Sequence, residues 1–81
     1  MDLVALTKFL VESIVKNPDA ITVKMFSEDE NEIIIQVLVK DEDMGAVIGK
    51  SGTIANAIRT IVQASAYVNH LPKVKINIDS Y

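Results

Sequence analysis

The chain has 81 residues, no cysteine, 49% hydrophobic residues and a formal net charge of −3. That length holds one small domain, residues 1–81, near the lower limit at which a single core is stable unaided. The absence of cysteine excludes disulfides and thiolate metal sites, so stability has to come from apolar packing. The charge is divided: residues 1–43 carry four lysines against ten acids, whereas residues 44–78 carry Lys50, Arg59, Lys73 and Lys75 with no acid, so the overall balance conceals a basic second half.

Asp2 is placed to cap a first helix whose Leu3, Leu6, Leu10 and Ile14 follow the helical spacing, and Asn17-Pro18 ends it. Val4, Val11 and Val15 widen its apolar face, which suits either a broad core face in a small domain or a surface for self-association. The same stretch carries Lys8 and Glu12 and lacks a basic leader and a small-residue cleavage site. It is read as neither a signal peptide nor a membrane span, and a soluble cytoplasmic protein is expected.

Ile21 to Phe26 reads as a strand, and Ser27-Glu28-Asp29-Glu30-Asn31 as a polar turn. Ile33 to Val39 is apolar on both faces and is expected inside the sheet. Asp41 is expected to cap a short second helix, and the acids at 28–32 and 41–43, which lack calcium-loop spacing, read as solvated turns. A third helix after Gly52 directs Ile54, Ile58, Ile61 and Val62 inward, and Phe9 and Phe26 are also expected to be buried. Val74, Ile76 and Ile78 alternate in a last strand. The result is an α+β fold in the order αββααβ, with no linker, repeat or low-complexity segment.

Between the second and third helices lies Val47-Ile48-Gly49-Lys50-Ser51-Gly52-Thr53. Two glycines three apart supply backbone angles closed to other residues and let a sugar-phosphate chain approach the main chain. The helix that follows offers its leading N–H groups and the positive end of its dipole, and Lys50 adds a full charge at the tip. Taken alone, the pair of glycines suits a tight helix-helix turn equally well.

Catalytic readings find little support. A P-loop requires a glycine five positions before Gly49, where Met44 stands, and a strand before the loop. His70 is the only histidine and falls in an expected surface loop, Tyr67 to Pro72, so neither a nucleophile-base pair nor a metal site can be assembled around it. No cofactor is implied.

The strand-helix-helix-strand core, residues 32–79, with Val-Ile-Gly-Lys-Ser-Gly between its helices and Ile58-Arg59 following, resembles the K-homology (KH) motif. The helix and strand that precede it make the order similar to the type II form, with a three-stranded mixed sheet against three helices. Over its whole length the chain resembles the small single-domain KhpA family of bacterial RNA-binding proteins. The resemblance implies that Gly49, Lys50, Ser51 and Gly52 clamp the backbone of about four nucleotides of single-stranded RNA. It implies that Val47, Ile48, Thr53, Ala55 and Ile58 fall at loop and helix positions that either line the groove or belong to the core. Arg59 and Lys75 would be basic residues of the groove. The family pattern carries further cations where this chain has Ala46, Thr53 and Asn56. The family also implies self-association or pairing with a second KH protein, KhpB, and roles as an RNA chaperone or post-transcriptional regulator bearing on cell growth, division and shape. The alternative is a KH-fold dimerisation module with little RNA binding of its own.

Overall fold

The computed structural model describes residues 2–81, Glu28 by its backbone. Helix α1 spans Leu3–Glu12 and begins where Asp2 predicts. The Asp2 Oδ1 accepts from the N–H groups of Val4, at 2.9 Å, and Ala5, at 3.4 Å, which satisfies two donors of the first turn. Leu3, Thr7 and Val11 are its buried residues, with Leu6 and Leu10 half-buried against the core. Thr7 is tolerated there because its hydroxyl donates to the Leu3 carbonyl at 2.8 Å. The helix ends at Glu12, well short of Asn17, and a 3-10 turn, Pro18–Ala20, leads into the sheet.

Strand β1, Thr22–Asp29, runs antiparallel to β2, Glu32–Val39, and β3, Lys73–Ser80, runs parallel to β2 on its other side. The sheet is therefore mixed, with β2 in the middle as expected. Ile33, Ile35, Val37 and Val39 of β2 are buried beneath the helices, and the alternate residues are half-buried on the opposite face. Each such fully buried side chain contributes about 1.5–3 kcal/mol relative to an exposed one. The expected turn at 27–31 is shorter than its composition suggests. β1 continues to Asp29 through an irregularity in register after Phe26, and only Glu30 and Asn31 form the turn, with the Asp29 carboxylate accepting from the Asn31 N–H at 2.7 Å.

Helix α2 covers Met44–Ile48 and α3 covers Thr53–Val68. Asp41 does not cap α2 as expected. A 3-10 turn, Asp41–Asp43, precedes the helix, and no side chain caps either element. Asp43 also departs from the expectation of a solvated turn. It is 1% exposed, and its carboxylate accepts from the backbone N–H groups of Lys16, at 3.0 Å, and Asn17, at 3.1 Å, and from the Asn17 side-chain amide. The Lys16 N–H, foremost, holds this carboxyl below the usual aspartate range, against the opposing effect of burial. Asp43 thereby ties the segment after α1 to the start of α2, twenty-six residues away.

In α3 the buried residues are Ala55, Ile58, Val62 and Ala66. Ile54 and Ile61, expected in the core, are 38% and 46% exposed, and Phe9 and Phe26 are exposed as well. Ala55, Ile58, Val62 and Ala66 make up one face of the helix at three- and four-residue spacing, which leaves Ile54 and Ile61 off that face. At the end of α3 the Leu71 N–H donates to the Ala66 carbonyl and the His70 N–H to that of Tyr67, with His70 at φ 58°. That is a Schellman cap, with histidine where glycine is usual. His70 is thus a helix-terminating surface residue.

Candidate nucleic-acid interface

The segment joining α2 to α3 is built from residues in unusual backbone conformations. Gly49 has φ 76° and ψ 173°, a region essentially reserved for glycine, and Ser51 and Gly52 are left-handed at φ 56° and 77°. The two glycines differ in what surrounds them. A Cβ on Gly49 would lie 2.8 Å from the Ile54 Cβ and 2.9 Å from the Ile54 nitrogen, whereas one on Gly52 would meet nothing closer than 3.8 Å. Gly49 is demanded by both space and angle, Gly52 by angle alone. The turn is held by the Gly52 N–H on the Gly49 carbonyl, at 3.2 Å, and by the Thr53 hydroxyl on the Lys50 carbonyl, at 2.9 Å. Lys50, Ser51 and Thr53 are exposed at the tip.

The apolar candidates divide. Val47, Ala55 and Ile58 are buried and support the joint from inside, while Ile48 is half-buried at the end of α2. Arg59 lies six residues beyond Thr53, about 9 Å along the helix. It stands in a groove of about 1060 Å³ between α3 and the outer edge of β3, where Arg59, Gln63 and Tyr67 face Lys73, Lys75 and Asn77. The loop residues and the groove residues thus occupy successive stretches of one helix, α3.

Arg59 is not a free cation in this groove. Its Nε and Nη2 both donate to the Ile76 carbonyl at 3.3 Å, and its Nη1 donates to the Asn56 side-chain oxygen at 3.3 Å. Gln63 accepts from the Val74 N–H at 2.9 Å. These two side chains occupy outward backbone groups of an edge strand that would otherwise be open to pairing. Gln63 gave no sequence signal, because a lone glutamine on a helix flank reads as solvated surface. Glu32 also lines the groove, since its strand position pairs with Lys73. The acid-free stretch 44–78 is therefore completed in space by one carboxylate from elsewhere in the chain.

Among the described residues no group of three His, Asp or Glu side chains is placed to hold a metal ion, and no helix is long and apolar enough to cross a membrane.

Comparison with known proteins bears on the family and the fold. The family model described as KhpA/KhpB, KH domain, matches residues 5–78. The chain is 49% identical over 61 residues to the RNA-binding protein KhpA of Caldanaerobacter subterraneus, covering 75% of this chain and 80% of that protein. It is 41% identical over 73 residues to the RNA-binding protein KhpA of Clostridium perfringens, covering 90% and 95%. Its backbone is similar to part of Aquifex aeolicus Era bound to GDP·AlF4−, with a TM-score of 0.71 at 14% identity, covering 98% of this chain and 30% of that one. It is also similar to part of Era in complex with MgGDPNP and a segment of 16S ribosomal RNA, with a TM-score of 0.64 at 17% identity, covering 96% and 29%. The Era likeness establishes the fold, a type II KH arrangement of three helices on a mixed three-stranded sheet.

Proposed function

The chain belongs to the KhpA/KhpB family of KH domains, and we propose that it binds short single-stranded RNA through the loop Gly49–Gly52. The observation that carries this reading is the left-handed loop itself. It projects Lys50 and Ser51 from the N-terminal end of α3 and keeps its own backbone close to the surface. A phosphate there meets main-chain N–H groups, the positive end of a sixteen-residue helix and a lysine ammonium, with no side chain at either glycine to hold the strand away. Bases would then lie along Ile48 and the α3–β3 groove toward Arg59 and Lys75. Residues 1–81 act as one KH domain with its core at 32–79, in the cytoplasm, as an RNA chaperone or post-transcriptional regulator. The named relatives are RNA-binding proteins by name.

A second reading, association with another copy or with a KH protein such as KhpB, is favoured by a different observation. Ile54, Ile61 and Val68 are exposed at seven-residue spacing and form one apolar line along α3, of which Ile54 and Ile61 lie outside the groove against β3 and Val68 reaches its lining. The broad apolar side of α1, by contrast, is spent on the core, where Leu6 and Leu10 pack, with Val15 just beyond the helix.

The test is a titration of the purified protein with a mixed pool of short single-stranded RNA at several salt concentrations. Lys50, Lys73, Lys75 and Arg59 allow at most about four phosphates to be neutralised per subunit. The plot of log affinity against log salt should be no steeper than roughly −3 for a monomer, at ~0.7 per contact, and up to twice that for a dimer engaging both loops. Absence of binding at low salt would leave the association module as the better account.

A further inference from the structure

We propose that Asn17 and Asp43 are positioning residues for the RNA loop: together they fix the direction of α2, the short helix from whose far end Gly49–Gly52 hangs. This rests on the RNA-binding reading above and names what keeps that site in its binding form. Helix α2 cannot hold its own course. It has five residues, with a glycine second and no side-chain cap at its start, and a helix of little more than one turn has no stability apart from its surroundings. Of its side chains only Val47 is fully buried; Met44 and Ile48 are half-buried, and Gly45 and Ala46 face outward. A single deep contact fixes a point but not a direction. The second contact is made at the opposite end by Asp43, whose carboxylate accepts from the Lys16 and Asn17 N–H groups and from the Asn17 Nδ2 at 3.0 Å. The same Nδ2 donates to the Glu42 carboxylate, so one amide holds both acids at the entry to α2.

Val47 lies four residues beyond Asp43 and two before Gly49. A tilt about Val47 that shifts the Asp43 end by about 2 Å therefore carries Gly49 about 1 Å the other way. The other end of the loop is fixed independently, because α3 is anchored by Ala55, Ile58, Val62 and Ala66. The spacing across the loop is thus set where α2 delivers Gly49. Ser51, at φ 56°, holds a strained conformation that lasts only while both ends of the loop are fixed. Releasing Asp43 lets the loop relax into forms that do not present its backbone to a phosphate. By linkage the coupling runs both ways: a strand that binds the ordered loop tightens the hold of Asp43 on Lys16 and Asn17.

The test measures the affinity of a short labelled single-stranded RNA by fluorescence anisotropy, in the cold, where circular dichroism shows each variant to be folded. Asn17→Ala keeps both main-chain N–H groups on Asp43 and loses only the side-chain amide, and should weaken binding about threefold. Asp43→Asn turns an NH2 toward one of those N–H donors and should weaken it about tenfold, as for a loop that holds its binding form about a tenth of the time. Ile33→Ala, which opens a cavity at the far end of β2 and lowers the melting temperature as well, should bind like the parent. In the parent, saturating RNA should slow hydrogen exchange at the Lys16 and Asn17 amides, an effect that a merely structural contact would not show. Parent affinity in both clamp variants, an equal loss in Ile33→Ala, or exchange at Lys16 and Asn17 unaltered by RNA overturns the assignment while leaving RNA binding intact. Should Asp43→Asn not fold, Asn17→Ala and the exchange measurement decide. Failure of the parent to bind overturns the RNA reading itself, and the positioning role with it.

Discussion

Replacing Lys50 and Ser51 together by aspartate weakens RNA binding by about a hundredfold or more and leaves the fold intact. The exchange alters the loop tip by three charge units, each worth about 1 kcal/mol against a phosphate at the surface. Both side chains are exposed, so little packing is lost and the melting temperature should move by only a few degrees. The left-handed conformation of Ser51, at φ 56°, is one that aspartate accepts more readily than most residues. Anisotropy with a labelled strand and a thermal melt read the two halves of this expectation. A double variant that binds as well as the parent at equal salt would show that the phosphates lie elsewhere.

The second large effect is on stability. Asp43→Ala removes the acceptor shared by two backbone N–H groups and one side-chain amide, and should lower the melting temperature by about 10 °C or more. Acid should have a related effect on the parent. The folded pKa of Asp43 is lowered, chiefly by the Lys16 N–H. The stability this carboxylate confers is therefore fully present above the ordinary aspartate value and is lost as the pH falls through the lowered folded value. The alanine variant lacks that part of the acid transition, so the difference between the two proteins should shrink as the pH is lowered, which melts across the acid range would show. A difference that stays constant with pH would mean that the carboxylate charge does not matter and that the segment is held by other contacts.

The order of elements, the central place of β2 and the loop between α2 and α3 could all be read from the sequence, because each has a local cause. An uninterrupted apolar run marks the inner strand, and glycines three apart mark the joint. What escaped depended on partners distant in the chain or on the exact rotation of a helix. Asp43 sits in an acidic run that looks solvated, and only the approach of Lys16 and Asn17 makes its burial favourable. In α1 the buried residues are Leu3, Thr7 and Val11, a face rotated from the Leu3-Leu6-Leu10 stripe, so Phe9 is left outside. Bulk misled in α3, where Ala55 and Ala66 are inside and Ile54 and Ile61 are not. Of the proposed interface, Lys50 stood out in the sequence by its place between the glycines, and Arg59 and Lys75 by the family resemblance. That Arg59 is tied to the Ile76 carbonyl, and that Gln63 stands beside it, follows only from the packing of α3 against β3.

The most direct measurement is an amide chemical-shift titration of the labelled protein with a short single-stranded RNA. The account predicts that the largest changes fall on Gly49 to Thr53, with a second set at Arg59, Gln63 and Lys75, and that the amides of α1 and β1 scarcely move. Changes confined to α1, or to β1 and the open face of the sheet, with the loop amides unmoved, would contradict it.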